Sequence, residues 1–217
     1  DKQVGKELTR LFNELSGYAI EKKYKRMLVA PRYLRKGLLR HIADEITNHQ
    51  AGKPARIRLK LNSLVDEVII DALYRASNAG VPVEIWVRGI CALIPGQKGL
   101  SENISVKSVL GRYLEHSRIF WFDNAGQPTV YIGSADMMHR NLDRRIEALL
   151  QITDPAHIEQ LDRQLTRGMS DDMQSWSLES NGDWQRHSHA DDGTRLGDVQ
   201  NETMMEIMGK KRGVPSA

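Results

Sequence analysis

Residues 55–88 have the sequence ARIRLKLNSLVDEVIIDALYRASNAGVPVEIWVR, which predicts a strand, a helix and a second strand. Residues 55–62 alternate between apolar and polar side chains, as a strand with one buried face does. The apolar run 67–80 has helical spacing and stops at Gly80. Residues 81–88 again have the pattern of a strand. Because two strands joined by one helix usually lie parallel, this stretch predicts a layered α/β fold.

The sequence before this stretch repeats the pattern. Residues 26–31, RMLVAP, predict a short strand. Residues 32–52 have helical spacing, and Pro31, directly before them, can be the first residue of this predicted helix. Together with the stretch above, they predict a parallel core of the order strand, helix, strand, helix, strand.

Further elements flank this core on both sides. One helix is predicted before it, and four strands and a helix are predicted after it. The fold class is therefore α/β, with a mixed sheet, a parallel βαβαβ core and flanking helices. The predicted ranges are 2–15 for the first helix, 104–109, 118–123, 129–133 and 146–152 for the strands, and 157–170 for the last helix.

Two segments lack this periodicity. Residues 89–103 are rich in glycine and longer than an ordinary connection, which makes them a candidate lid. From residue 173 the chain becomes polar, although it contains two tryptophans. We therefore predict an α/β domain at 1–172 and an extension at 173–217 that wraps around it, with a mobile end at 209–217.

Composition limits the classes of function. The 217 residues include 31 Lys and Arg against 28 Asp and Glu, and a net charge of +3 is too small to predict nucleic-acid binding. The single cysteine, Cys91, excludes an internal disulfide framework and suits a reducing compartment. No apolar run approaches the roughly 20 residues of a bilayer span. We expect a cytoplasmic protein, with peripheral contact to the inner face of the membrane left open, and we expect a piece of a longer chain because Asp1 opens directly into a helical pattern.

Polar and charged side chains follow the ends of the predicted strands. Ligands of parallel sheets bind beyond the carboxyl ends of the strands, where helix amino termini also point. If strand 118–123 runs antiparallel to the core, it begins at this same edge, and the next strand returns there. We therefore expect one edge of the sheet to collect Arg32, Arg35, Lys36, Asn62, Ser63, Arg88, His116, Arg118, Gly133 and Ser134.

His116 and Arg118 stand two residues apart at the start of a strand. Residues i and i+2 of a strand share a face, so both side chains can contact one phosphate. Arginine binds phosphate oxygens bidentately, and an imidazole can act as an acid or a base at cellular pH. This combination suits phosphoryl transfer, in which the protein mainly positions oxygens and offsets negative charge. Arg88, which precedes the glycine-rich loop, is a second candidate cation.

Structural roles compete with these interpretations. Ser63 and Asp66, three residues apart before an apolar helical run, predict a capping box. A histidine at the start of a strand is often structural, and the basic residues after the first strand can be solvated charges. His187 and His189 are too few to indicate a metal site, so no metal ligand is predicted.

Three blocks of the sequence resemble one known family. They are KLNSLVD (60–66), VRGICALIPGQKGLSENISVKSVLGRYLEHSRIFWF (87–122) and VYIGSADMMHRNLDRRIEAL (130–149). In this order and spacing they are similar to the carboxyl-terminal catalytic domain of polyphosphate kinase, which reversibly moves the terminal phosphate of ATP onto polyphosphate. That family resembles phospholipase D, in which two similar α/β domains each offer a histidine to a shared cleft. The resemblance implies a phospholipase D-like fold.

The resemblance also implies roles for particular residues. His116 matches the family's second histidine, a proposed general acid or base, and Arg88 matches an arginine that contacts nucleotide phosphate. A degenerate phospholipase D signature, with arginine where that family has lysine, consists of His116, Arg118, Asp123, Gly133 and Ser134. The ATP- or phosphate-binding residues implied in this way are Arg88, His116, Arg118, Ser134, Asn62 and Ser63.

The rest of the family's machinery has no counterpart in this chain. The phosphorylated nucleophilic histidine and the magnesium-associated arginines belong to domains that precede this one. The resemblance therefore implies ATP or ADP, with Mg²⁺, and inorganic polyphosphate as substrates of the full-length enzyme, and no cofactor bound covalently to this chain. The preceding domains of the same polypeptide, and further copies of it in a homo-oligomer, are the expected partners.

The chain is accordingly predicted to hold half of a phosphotransferase active site. Covalent phosphoryl transfer needs an activated nucleophile and an acid or base in one cleft, so the chain alone is expected to be inactive. Two alternatives remain open. One is a phospholipase D-like phosphodiesterase that dimerises to pair two copies of His116, and the other is a non-catalytic module that binds polyanions through its basic edge.

Overall fold

The computed structural model describes residues 1–17 and 24–211. Within these ranges the chain forms one nine-stranded sheet and five α-helices. The strands are β1 Met27–Val29, β2 Ile57–Leu61, β3 Val83–Val87, β4 Ile104–Ser108, β5 Arg118–Phe122, β6 Thr129–Gly133, β7 Ala148–Ile152, β8 Ser175–Leu178 and β9 Trp184–His187. The helices are α1 Lys2–Leu15, α2 Leu34–Gln50, α3 Glu67–Asn78, α4 Pro155–Met169 and α5 Val199–Lys211.

The sheet is mixed. Its strands lie in the order β1-β7-β6-β5-β2-β3-β4-β8-β9. β2, β3 and β4 are parallel neighbours, with Ile57 opposite Val83 and Leu61 opposite Val87. β5 lies antiparallel on the other side of β2, and β6 and β7 continue in alternating directions. The predicted mixed sheet with a parallel core is confirmed.

The sequence predicted β1 beside β2, but the structure places it elsewhere. It pairs antiparallel with β7 at the edge of the sheet, with Met27 opposite Leu150. The prediction that the strands of residues 27–88 are consecutive neighbours is therefore wrong for β1. β5 occupies the place beside β2 because residues 119–122 are apolar throughout and buried, as a central strand covered on both faces requires. β1 still runs in the direction of β2, so its carboxyl end lies at the same edge of the sheet.

Helices cover both faces of the sheet. On one face, Leu38 of α2 and Leu73 of α3 pack with Leu59 of β2 in the main core. On the other face, Leu165 of α4 packs against Trp121 of β5. β2 thus lies between two helical layers.

The polar residues of β2 are buried on the α4 face. Arg58 pairs with Glu84 at 2.7 Å and with Asp162 of α4 at 2.6 Å. Lys60 pairs with Glu115 at 2.6 Å. A buried charge is tolerated only when it has such partners, so the alternating pattern of β2 separates an apolar face from an ion-paired face.

The start of α3 differs from the prediction. Asp66 is its N-cap, and Oδ1 of Asp66 accepts a hydrogen bond from the backbone N–H of Ile69 at 3.0 Å. The predicted capping box at Ser63 is therefore wrong. The carbonyl of Ser63 instead accepts a hydrogen bond from the backbone N–H of Met137 at 3.0 Å, which joins the exits of β2 and β6.

α2 also begins later than predicted. The backbone N–H of Tyr33 donates to the carbonyl of Val29 at 2.8 Å and closes a turn after β1. The helix then begins at Leu34, so Pro31 is not its first residue.

The candidate lid, residues 89–103, is packed against α3. Leu93 is buried in the main core. The backbone N–H of Ile94 donates to the hydroxyl of Tyr74 at 3.0 Å, and the hydroxyl of Ser101 donates to the carbonyl of Ile94 at 2.8 Å. The structure thus shows an anchored loop where the sequence predicted a lid.

The segment after residue 172 contains two strands and a helix that its polar composition did not predict. β8 pairs antiparallel with β4, with Ser177 opposite Lys107, and β9 pairs with β8. These strands satisfy the backbone groups that the edge of β4 would otherwise leave unpaired.

The division of the chain at residue 172 stays a prediction, although the sheet runs across it. Of the predicted mobile end, residues 209–211 belong to α5 and residues 212–217 lie outside the described residues. None of the helices in the described ranges has the length and apolar character required to cross a membrane.

His41 of α2 predicts a pH dependence of stability. Its ring stacks on Phe122 with 5.0 Å between centroids, and Nε2 lies 3.0 Å from the Tyr131 hydroxyl. Burial, helped by Arg40 and opposed by Asp44, lowers the pKa of His41 to about 4. The unfolded chain binds a proton on His41 near pH 6.5, whereas the folded chain binds it only near pH 4. The free energy of unfolding is therefore highest above about pH 6.5 and falls by up to about 3 kcal/mol as the pH drops toward about 4.

Urea unfolding of the chain and of a His41→Gln variant, at about pH 7 and about pH 4.5, measures this contribution. The substitution keeps a polar group near Tyr131 but removes the titration. The variant should therefore lose less stability on acidification than the wild type. The same acid sensitivity in both proteins would contradict the assignment to His41.

Candidate active site

The carboxyl ends of β2 and β3 meet the start of β5 and the end of β6 at one edge of the sheet. Arg118, the first residue of β5, lies directly opposite Gly133, the last residue of β6. The backbone N–H of Gly89 donates to the carbonyl of Asn62 at 2.8 Å and joins the exits of β3 and β2. We call this edge the rim and define it by residues 62–63, 88–89, 116–118 and 133–136.

Arg88 and His116 are neighbours at the rim. Nη2 of Arg88 lies 3.4 Å from Nδ1 of His116, and the histidine is exposed to solvent. A guanidinium group can only donate, so Nδ1 of His116 is the acceptor in this contact. The pair thus offers a guanidinium group and an imidazole ring at one point of the surface.

A buried carboxylate, Asp136, organises the other side of the rim. Its oxygens accept from Nη2 of Arg118 at 2.8 Å and from the backbone N–H of Asn62 at 2.8 Å, and its side chain is 8% exposed. Burial would raise the pKa of Asp136, but the bonds from Arg118 and Asn62 outweigh it and hold that pKa below its usual value. Asp136 therefore stays ionised and fixes Arg118.

Asp136 also explains the place of Asn62. The side-chain amide of Asn62 lies 3.3 Å from Oδ2 of Asp136 and is buried, so it faces the carboxylate and not the solvent. Arg118 in turn donates from Nη1 to the carbonyl of His116 at 2.8 Å. No sequence pattern singled out Asp136, although it lies two residues after Ser134 in the GSAD motif that the family resemblance included.

Ser134 reaches the rim but is engaged by a different carboxylate. Its hydroxyl donates to Glu147, which also accepts from the side-chain amide of Asn141 at 2.6 Å. Gly133 is required next to it, because a Cβ there would lie 2.0 Å from the carbonyl oxygen of Ala148. β6 and β7 can therefore approach closely at this point only with glycine.

Ser63 lies beside Gly89. A Cβ on Gly89 would come within 2.8 Å of the Asn62 carbonyl oxygen and 3.5 Å of the Ser63 hydroxyl. Ser63 is therefore at the predicted edge, close to the residue that follows Arg88.

The basic residues after β1 form ion pairs. Arg32 pairs with Glu14 at 3.1 Å. Arg35 pairs with Asp66 at 2.7 Å and with Asp143, which ties α2 to the cap of α3 and to a π-helical turn at Arg140–Arg144. Lys36 is exposed on α2. These contacts agree with structural roles for this group.

Asp123 of the degenerate signature lies at the opposite end of β5 from the rim. Its Oδ1 accepts from the indole N–H of Trp121 at 2.7 Å, and its Oδ2 lies 3.5 Å from Arg56. The length of β5 separates it from His116, so Asp123 does not join the other signature residues at the rim.

The rim does not fit a magnesium site. Across residues 1–17 and 24–211, no group of three or more His, Cys, Asp or Glu side chains is placed to hold a metal ion. Mg²⁺ prefers carboxylates and water, whereas the rim presents arginines and its carboxylate, Asp136, is already occupied. The rim therefore suits phosphate oxygens better than a cation.

Comparison with known proteins gives one consistent match. A family model described as polyphosphate kinase C-terminal domain 2 matches residues 27–196. A polyphosphate kinase of Streptomyces coelicolor is 58% identical over 213 residues, which are 98% of this chain and 28% of that protein. A polyphosphate kinase of Prochlorococcus marinus is 49% identical over 180 residues, 83% of this chain and 25% of that protein.

A solved structure agrees with the sequence matches. The crystal structure of polyphosphate kinase from Porphyromonas gingivalis has a TM-score of 0.90 and 34% sequence identity, and the match covers 98% of this chain and 32% of that one. The chain thus spans about a quarter of the length of the curated relatives named above, at 28% and 25%. The family model includes every residue of the rim, and the chain belongs to the family of the polyphosphate kinase C-terminal domain 2.

Proposed function

We propose that this chain is the carboxyl-terminal domain of a polyphosphate kinase and contributes half of its active site. The reaction is the reversible transfer of the γ-phosphate of ATP to inorganic polyphosphate, through a phosphohistidine on a preceding domain. The observation that carries this proposal is the contact of 3.4 Å between Arg88 and His116 at an open edge of the sheet. We refer below to the complete polypeptide as the full-length enzyme.

Arg88 and His116 would have different roles in the transfer of the phosphoryl group. Arg88 can bind phosphate oxygens with the part of its guanidinium that His116 does not use, and so offsets the charge of the moving phosphoryl group. His116 would give a proton to a departing oxygen as the imidazolium, and the neutral ring would accept one in the reverse reaction. Arg118, whose charge Asp136 offsets, lies beside them and donates to the carbonyl of His116.

The substrates and partners follow from the same proposal. ATP or ADP and polyphosphate are polyanions that suit the arginines of the rim, and any Mg²⁺ would enter with the nucleotide or be held by the preceding domains. Those domains would supply the nucleophilic histidine, and the full-length enzyme would be a cytoplasmic homo-oligomer. No step in this chain's contribution requires a cofactor of its own.

The isolated chain should make no polyphosphate from ATP, because it lacks the nucleophile that accepts the phosphoryl group. The test is incubation of purified residues 1–217 with radiolabelled ATP and a polyphosphate primer, next to the full-length enzyme as the positive control. Synthesis by the isolated chain would overturn the assignment of the nucleophile to another domain.

The same preparations separate the two alternatives. Hydrolysis of a chromogenic phosphodiester by the isolated chain would favour a phosphodiesterase. Salt-sensitive binding of polyphosphate that survives His116→Ala, together with an inactive full-length protein, would favour a non-catalytic module.

A further inference from the structure

We infer that Gln200, on the carboxyl-terminal helix α5, positions His116 by holding the backbone of the segment that leads into it. The segment consists of residues 109–117, between β4 and β5, and has neither helix nor strand structure. The inference rests on the proposed function, because it assigns to Gln200 an effect on the reaction that His116 serves.

Gln200 binds the segment as a neighbouring strand would. Its Oε1 accepts from the backbone N–H of Tyr113 at 2.7 Å, and its Nε2 donates to the carbonyl of the same residue at 2.7 Å. The same Nε2 lies 3.2 Å from Oε1 of Glu115, the residue before His116. Gln200 is only 7% exposed, so water does not compete well for these bonds.

The packing around this amide leaves little room. A Cβ on Gly111 would lie 2.5 Å from Oε1 of Gln200, so the backbone of the segment runs directly against the amide. The segment has no neighbouring strand, so side chains bind its backbone instead. Gln200 binds the backbone of Tyr113, and Arg118 binds the carbonyl of His116.

Glu115 also forms an ion pair with a buried lysine of β2. Oε2 of Glu115 accepts from Nζ of Lys60 at 2.6 Å, while its Oε1 faces Gln200. Lys60 is fully buried and lies 3.9 Å above the ring centroid of Trp86, so it cannot move away without losing both partners. Two anchors on different elements therefore converge on the residue that precedes His116.

α5 can act as a fixed support because it is tied to α4. Nη1 and Nη2 of Arg167 bind Thr203 and Glu206 of α5, each at 3.0 Å. Val199, at the start of α5, packs with Trp86 and Val109. The helix lies beyond residue 196, where the match to the family model ends, so the family match assigns nothing to it.

The test measures turnover of the full-length enzyme after Gln200→Leu. A misplacement of about 1 Å can cost roughly 100-fold in rate, so kcat should fall by about 10- to 100-fold. KM for ATP should change by less than about threefold, because Arg88 lies on a different strand exit and keeps its place. Gln174→Leu is the matched control: Gln174 Nε2 binds the carbonyl of Leu196 at 2.9 Å, and this side chain anchors the same terminal segment without a hydrogen bond to residues 109–117.

A rescue pair separates positioning from a general loss of structure. Gln200→Glu alone brings a second carboxylate near Glu115 and should lower kcat as well. Gln200→Glu combined with Glu115→Gln restores a donor and an acceptor between positions 115 and 200 and preserves their total charge, although the bond to the carbonyl of Tyr113 stays lost. The pair should have a higher kcat than Gln200→Glu alone, by at least about threefold.

The outcomes are distinct. A full-length wild-type enzyme without activity would contradict the proposed function, independently of the role of Gln200. An active wild type with kcat of Gln200→Leu within about twofold would overturn the positioning role, and so would an equal loss in Gln174→Leu. If Gln200→Leu fails to fold, the rescue pair decides, and absence of recovery in it counts against the inference.

Discussion

Replacing Arg88 with alanine in the full-length enzyme is expected to lower kcat for polyphosphate synthesis by roughly 10³- to 10⁵-fold, about 4 to 7 kcal/mol of transition-state stabilisation. The variant removes the cation that lies 3.4 Å from His116 and faces the proposed path of the phosphoryl group. It also removes the donor that fixes Nδ1 as an acceptor, so the ring loses its orientation as well as its partner.

Initial rates at saturating ATP measure this loss directly. Arg88→Lys should recover only part of it, since an ammonium group lacks the fork that binds two oxygens. Arg75→Ala, which removes an exposed arginine from α3, is the control and should leave the rate unchanged. A loss of less than about tenfold in Arg88→Ala would place Arg88 at the periphery of the reaction.

The second large effect is on stability. Asp136→Ala should lower the free energy of unfolding by about 3 to 5 kcal/mol, because it leaves the buried guanidinium of Arg118 and the N–H groups of Asn62 without their acceptor. The side chains of Arg118 and Asp136 are 10% and 8% exposed, so water cannot fully replace the lost partner. The lowered pKa of Asp136 means that its contribution is present above its unfolded pKa and declines as the pH falls through its folded value.

Urea unfolding of the isolated chain at about pH 7 tests this prediction. Asp154→Ala is the matched control, since Asp154 caps α4 by accepting from the N–H of Ala156 at 2.9 Å, and its loss should cost only about 1 kcal/mol. Asp136→Asn keeps the shape and an acceptor, so it should be less harmful than alanine. Equal losses at positions 136 and 154 would show that the buried pair is not a special contributor.

The sequence placed several polar residues at the rim because their positions depend on local pattern. The alternation of residues 55–62 and the helical run 67–80 indicate a parallel unit, and the ends of its strands carry Asn62, Ser63 and Arg88. The hairpin between β5 and β6 then brings His116, Arg118 and Ser134 to the same edge. Each of these steps depends on the spacing of residues that are close together in the sequence, so the sequence alone is enough to predict it.

Other features could not be predicted because they depend on partners far away in the chain. Asp136 lies in a motif of small residues, and nothing local shows that it is buried beneath Arg118. β8 and β9 have a polar composition, and only the open edge of β4 makes them strands. Gln200 is 87 residues from Tyr113, so its role becomes visible only when α5 packs beside that segment.

The amino-acid sequence by itself determined the class of fold, the parallel core and the set of side chains at the strand ends, because hydrophobic periodicity and strand direction are local properties. Only the tertiary structure decided that β5 and not β1 lies beside β2, that Asp136 holds Arg118, and that Arg88 meets His116. Those outcomes depend on which apolar strand is best buried and which buried charge finds a partner, and both are settled by competition across the whole chain.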